Sequence, residues 1–265
     1  MEHAIDGGVD SLFLAGTTAE FPALTVDEVT AIVKAGLDLV GPERVIAHVG
    51  GASARQAQEL TRRVVDLGVT ALAAITPYYL PASPAAVLEY FTAVRETAAD
   101  AKLYAYLFPD RTGVHLDSDE TAALVEALDL EGIKLSGLDT DFVAQSVLKL
   151  SDRRQVYSGS DGSISRVFSV GGAGVVSGVS SAFPLVFRHL ADALEAGDAA
   201  GEHASQAEVD RAVALVGPSI RALKTALVAL GVISSEECRM ALDRLDPGVP
   251  DLIVEYVEEY RADVE

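Results

Sequence analysis

Seven short apolar runs, spaced by helical stretches, constrain this chain more than any other feature. Residues 9–15, 44–49, 70–76, 102–108, 132–136, 155–159 and 173–178 read as strands. They are apolar at successive positions rather than at alternate ones, so both faces need cover. A parallel sheet flanked by helices provides it. Stretches at 25–40, 52–67, 83–99, 117–128, 139–150 and 162–171 supply the helices. The pattern predicts an α/β fold, a TIM (β/α)8 barrel whose first strand is absent from this chain, because MEHAIDGGVD reads as the tail of a first helix. After residue 184 the strand signal stops, and 184–196, 200–230, 234–245 and 249–263 read as helices. The expected division is a barrel over 1–183 and a helical segment over 184–265 packed on it.

Composition narrows the function. The chain has 265 residues, 49% of them hydrophobic, enough for one large core. Its single cysteine, Cys238, allows no internal disulfide, and neither a spanning segment nor a leader is read. These features predict a soluble, cytoplasmic protein. Forty acidic residues oppose twenty basic ones, a net charge of -20. Such a surface repels nucleic acid and anionic lipid, which excludes both as partners. Only five lysines are present, which with the acid excess suggests a salt-loving host or a GC-rich mesophile of low pI.

One of those lysines is out of place. Lys134 interrupts the apolar strand of LEGIKLSG (130–137), and the other strands carry no internal lysine. Desolvation lowers the pKa of a buried ammonium, and a neutral amine attacks carbonyls to form Schiff bases. A snorkelling strand-end lysine is the plain alternative. Other candidates follow strands. AGTTAEF (15–21) offers the hydroxyls and amides of Thr17 and Thr18. TPYYLP (76–81) holds Tyr78 and Tyr79, which cannot both face the core. YLFPDRTG (106–113) offers the Tyr106 phenol and the Arg111 guanidinium, a clamp for an acidic group. YSGSD (157–161) and GGAGVVSG (171–178) allow tight turns near a ligand. The five histidines are scattered without metal-ligand spacing, so no metal or cofactor is expected.

GTTAEF, PYYLP, the YLFP tyrosine with RTG, GIK, YSGSD and GGAGVVSG occur in an order that resembles the N-acetylneuraminate lyase and dihydrodipicolinate synthase family of class I aldolases. The resemblance implies a pyruvate Schiff base on Lys134 and proton transfer by Tyr106. It implies a relay through Thr18 and amides of Thr17 and Thr18 on the pyruvate carboxylate. It also implies that Tyr79 acts in a neighbouring subunit of a homotetramer, that Arg111 binds the acidic end of a second substrate, and that Val176 lines the pyruvate pocket. Ala19, Leu107 and Leu135 depart from the family pattern and leave the partner aldehyde open.

The resemblance implies small-molecule substrates, pyruvate and an aldehyde. Reversible cleavage of 2-keto-3-deoxygluconate or its 6-phosphate is the first expectation, because HVGG, PYYLPASPAAVLEYF and VYSGSD look like archaeal sugar-acid aldolases. The alternative is 4-hydroxy-tetrahydrodipicolinate synthase, condensing pyruvate with aspartate semialdehyde, which Arg111 and Tyr79 favour. A catalytically silent regulator or scaffold barrel is the third.

Overall fold

In a computed structural model describing residues 1–150 and 154–264, all seven expected strands form. They are β1 (Leu12–Leu14), β2 (Val45–His48), β3 (Ala71–Ile75), β4 (Lys102–Leu107), β5 (Gly132–Leu135), β6 (Gln155–Ser158) and β7 (Gly174–Val175). Every pairing is parallel and in chain order, from β1 at one end to β7 at the other. With helices between the strands, this is the sheet of a TIM barrel. The helices are α1 (Glu2–Asp6), α2 (Val26–Val40), α3 (Ala54–Val65), α4 (Pro84–Thr97), α5 (Pro109–Thr112), α6 (Ser118–Ala127), α7 (Thr140–Lys149), α8 (Ile164–Ser169), α9 (Pro184–Ala196), α10 (Ala199–Val216), α11 (Ile220–Ala229) and α12 (Val249–Val264).

Local chemistry sets where the helices after β1 to β5 begin. Thr25 caps α2 and Asp117 caps α6, each in a reciprocal box with a glutamate three residues on. Ser53, Ser83 and Asp139 cap α3, α4 and α7 by accepting a first-turn N–H. The segments between these strands and helices carry most of the candidate residues.

Contacts divide the chain into two compact units. Ser11–Val176 holds all seven strands and α2 to α8. The other unit joins Met1–Asp10 to Ser177–Glu265, so the break falls at 176/177 rather than 183/184 and the N-terminal decapeptide groups with the helices. Within that unit, His3 Nε2 bonds the Ala182 carbonyl at 2.8 Å. Gly7 lies so near Pro184 that an added Cβ would be 2.2 Å from its Cγ. Among the described residues, no single helix is long and apolar enough to cross a membrane.

Two helix expectations fail in the second unit. The stretch 200–230 is not one helix but α10 and α11, separated at Gly217–Ser219. Pro218 has no N–H and biases its predecessor away from helix. The stretch 234–245 is not helical at all. Its backbone carbonyls are taken by α11 side chains: Arg221 donates to Asp243 and Leu242, and Lys224 donates to Glu237. Thr225 adds a hydrogen bond to the Glu236 carboxylate. Carbonyls used this way are lost to an internal helical ladder.

Candidate active site

The sheet register brings the candidates together. Tyr106 on β4 is level with Lys134 on β5, which is level with Tyr157 on β6. Level residues of parallel strands share a face. Lys134 is only 8% exposed, and its Nζ lies 4.0 Å from the centre of the Tyr106 ring and 4.5 Å from that of Phe13. Burial lowers the ammonium pKa from 10.5 to about 7, while the Asp161 carboxylate opposes the shift. A substantial neutral fraction is therefore available near neutral pH.

Tyr106 is fully buried. Burial raises its phenol pKa, and the Thr17 hydrogen bond, the Ser136 hydroxyl and the Arg111 charge each pull it back. Thr17 Oγ1 lies 3.1 Å from the Tyr106 hydroxyl. The turn that delivers it is strained. Ala15 and Glu20 both have positive φ, 55° and 57°, and Gly16 between them sits where a Cβ would meet the Phe13 ring at 2.8 Å.

Thr17 rather than Thr18 meets the phenol, a correction to the expected relay. The two threonines occupy successive places in a single 3₁₀ turn, Thr17–Ala19, which point in different directions. Thr17 turns inward and is half-buried, whereas Thr18 is exposed. The adjacent tyrosines divide as the sequence required. Tyr78 turns inward, edge-on to Phe21 at 5.7 Å, while Tyr79 has φ 82° and is 90% exposed. Arg111 is exposed in α5, with its guanidinium over the Phe108 ring at 5.7 Å. The Val176 N–H donates to the Ser158 carbonyl at 2.8 Å, extending the β6–β7 ladder by one residue.

Sequence reasoning missed Ser136, Phe13, His48 and the influence of Asp161 on Lys134. Ser136 was legible in principle: two residues beyond Lys134, it falls on the same face. Phe13 and His48 lie in runs whose apolar character concealed them. Among the described residues no three His, Cys, Asp or Glu side chains converge as a metal cluster.

A parallel barrel with a buried lysine amine on its sheet is the architecture of class I aldolases, and the protein is a lyase of that kind. Residues 1–248 match the dihydrodipicolinate synthetase family, and the chain belongs to that family. It is 34% identical over 232 residues to an uncharacterized DapA-like lyase of Halobacterium salinarum, covering 85% of this chain and 76% of that protein. It is 30% identical over 269 residues to the 4-hydroxy-tetrahydrodipicolinate synthase of Corynebacterium aurimucosum, covering 99% and 85%. The chloride-inhibited dihydrodipicolinate synthase of Acinetobacter baumannii, solved with pyruvate, matches with a TM-score of 0.88 at 25% identity, covering 98% and 90%.

Proposed function

We propose that Lys134 captures pyruvate as a Schiff base and that the enzyme then joins it to aspartate semialdehyde, a reading supported by the Corynebacterium relative's name, 4-hydroxy-tetrahydrodipicolinate synthase. The observation that carries the covalent step is Lys134 Nζ, buried at 4.0 Å from the Tyr106 ring. The neutral amine adds to the ketone carbon. The carbinolamine loses its hydroxyl as water with a proton from Tyr106, giving an iminium and a phenolate. The phenolate removes a methyl proton, leaving an enamine. The enamine carbon attacks the aldehyde carbon, and Tyr106 returns a proton to the new alkoxide. Water then adds to the iminium and re-protonates the phenolate, and collapse of the carbinolamine frees both product and amine.

Thr17 relays protons to Tyr106 through their 3.1 Å contact. Amides of the Thr17–Thr18 turn hold the pyruvate carboxylate, and Val176 lines the pocket. Arg111, exposed beyond β4, receives the acidic end of the aldehyde. Tyr79 serves a neighbouring subunit of a homotetramer, a role supported by its 90% exposure. A reducing, salt-rich cytoplasm suits one cysteine and a net charge of -20.

Borohydride added with pyruvate tests the reading. Lys134 should gain the mass of reduced pyruvate, and Lys134→Ala should gain nothing. Turnover of pyruvate with aspartate semialdehyde should exceed cleavage of 2-keto-3-deoxygluconate and its 6-phosphate. The reverse ratio would put sugar-acid cleavage first, and an unmodified wild type would return the silent-barrel reading.

A further inference from the structure

We propose that His48 is a positioning residue for proton transfer, holding the turn that sets the Thr17 hydroxyl on Tyr106. The inference rests on the Schiff-base reading and adds a residue to it.

His48 ends β2 and is 1% exposed. Its Nε2 accepts a hydrogen bond from the Ile75 N–H of β3 at 3.3 Å, so the ring is neutral with its proton on Nδ1. Burial drives the imidazolium pKa down to about 3, and the Lys134 charge adds to the effect. The backbone of Ala15 also acts on the ring, and Nδ1 is buried without a hydrogen-bond partner of full geometry. A buried imidazole is therefore tied to the end of β3 and lies beside the residue after β1.

Ala15 is the residue with φ 55° that opens the Thr17 turn. A left-handed alanine persists only where its surroundings impose it. The His48 ring helps to impose it from beneath. It is edge-on to Phe21 at 4.4 Å, on the far side of the turn, and 6.2 Å from both Phe13, before the turn, and Tyr106. One ring thus touches the residues flanking the turn and the tyrosine the turn must meet. Gly50 makes room for it, since a Cβ there would lie 2.8 Å from His48 Nε2 and 2.5 Å from the Ile75 nitrogen. Packing alone would be met by a phenylalanine. The hydrogen bond from Ile75 requires an acceptor at the Nε2 position, which glutamine supplies well and methionine, of similar volume but with a weakly accepting thioether, does not.

Two readouts separate this role from Schiff-base formation. The final extent of borohydride trapping, read after long incubation with pyruvate, reports the amine of Lys134 whatever the rate of the dehydration that Tyr106 assists. Exchange of the pyruvate methyl protons in deuterated water, followed by NMR, reports proton transfer by Tyr106 without needing the aldehyde. His48→Phe and His48→Met should reach the wild-type extent of trapping but exchange about tenfold more slowly or worse. His48→Gln should recover most of the exchange rate. If His48→Phe does not fold, the glutamine and methionine variants decide between them. Exchange at the wild-type rate in His48→Met, or equal losses in the glutamine and methionine variants, would overturn the proposal. A wild type that traps no pyruvate overturns the Schiff-base reading, and the inference with it.

Discussion

Among the described residues, the acidic and basic side chains that are buried, Glu20, His48 and Lys134, all lie in Ser11–Val176. In the helical unit no described acidic or basic side chain is buried, and several form ion pairs. Arg188 meets Asp10, Asp192 and Glu195, and Arg211 meets Glu208 and Glu259. The phenols buried in that unit, Tyr256 and Tyr260, pack edge-on to Phe183. Sequestering an ionisable group destabilises a fold, so stability gives no reason to keep one. Where burial, a shifted amine and a strained turn coincide, function is the better account.

The sharpest way to break that contrast is to remove the buried amine. Unfolded, Lys134 holds its proton up to its ordinary value of 10.5; folded, only up to about 7. Between those values the unfolded state binds more protons, so this residue makes stability rise with pH from about 7 to 10.5. Below that window its destabilisation is complete. Lys134→Met should therefore be more stable than wild type by roughly 2–4 kcal/mol at pH 6, with the difference fading towards pH 10.5. Urea unfolding at both ends of the range checks it. A variant no more stable at the acid end would mean that burial of Lys134 carries no penalty.

A smaller effect sharpens the contrast inside the site. Thr17→Val removes the hydroxyl from Tyr106 and should slow methyl exchange of bound pyruvate by about tenfold to a hundredfold. Thr18→Val removes an exposed hydroxyl and should change it by about twofold or less. Both variants keep the backbone amides, so the final extent of borohydride trapping serves as the control. A larger loss in Thr18→Val would restore the relay to the second threonine.

The pair Thr17 and Thr18 also shows what the sequence left open. All seven strands were legible because a buried parallel strand is apolar throughout and these runs alternate with amphipathic stretches. Lys134 was legible as an exception to the same rule. Which threonine turns inward was not, because the direction depends on a left-handed Ala15 that nothing in AGTTAEF announces. Ser136 lay hidden in plain view two positions from the lysine. His48 looked like one more residue of an apolar strand, and its partners Ile75 and Phe21 stand 27 residues apart from it in either direction. The misread helix at 234–245 has the same origin: helical composition was overridden by Arg221 and Lys224, cations of another helix that bind its carbonyls.

The smallest expected effect lies at the surface of the helical unit and tests the other half of the contrast. Arg211 and Glu259 form an ion pair with side-chain exposures of 50% and 47%, and the guanidinium also stacks on Tyr256 at 4.8 Å. Water and salt screen a pair so exposed, and ordering two long side chains offsets much of the attraction. A double-mutant cycle of Arg211→Ala and Glu259→Ala should give a coupling of about 0.5 kcal/mol at low salt, falling towards zero at molar salt. The single Arg211→Ala change should exceed the coupling, because it also strips the cover from Tyr256. A coupling of several kcal/mol that salt leaves untouched would show that this pair behaves as a buried one, and that charge in the helical unit is no more dispensable than charge in the sheet.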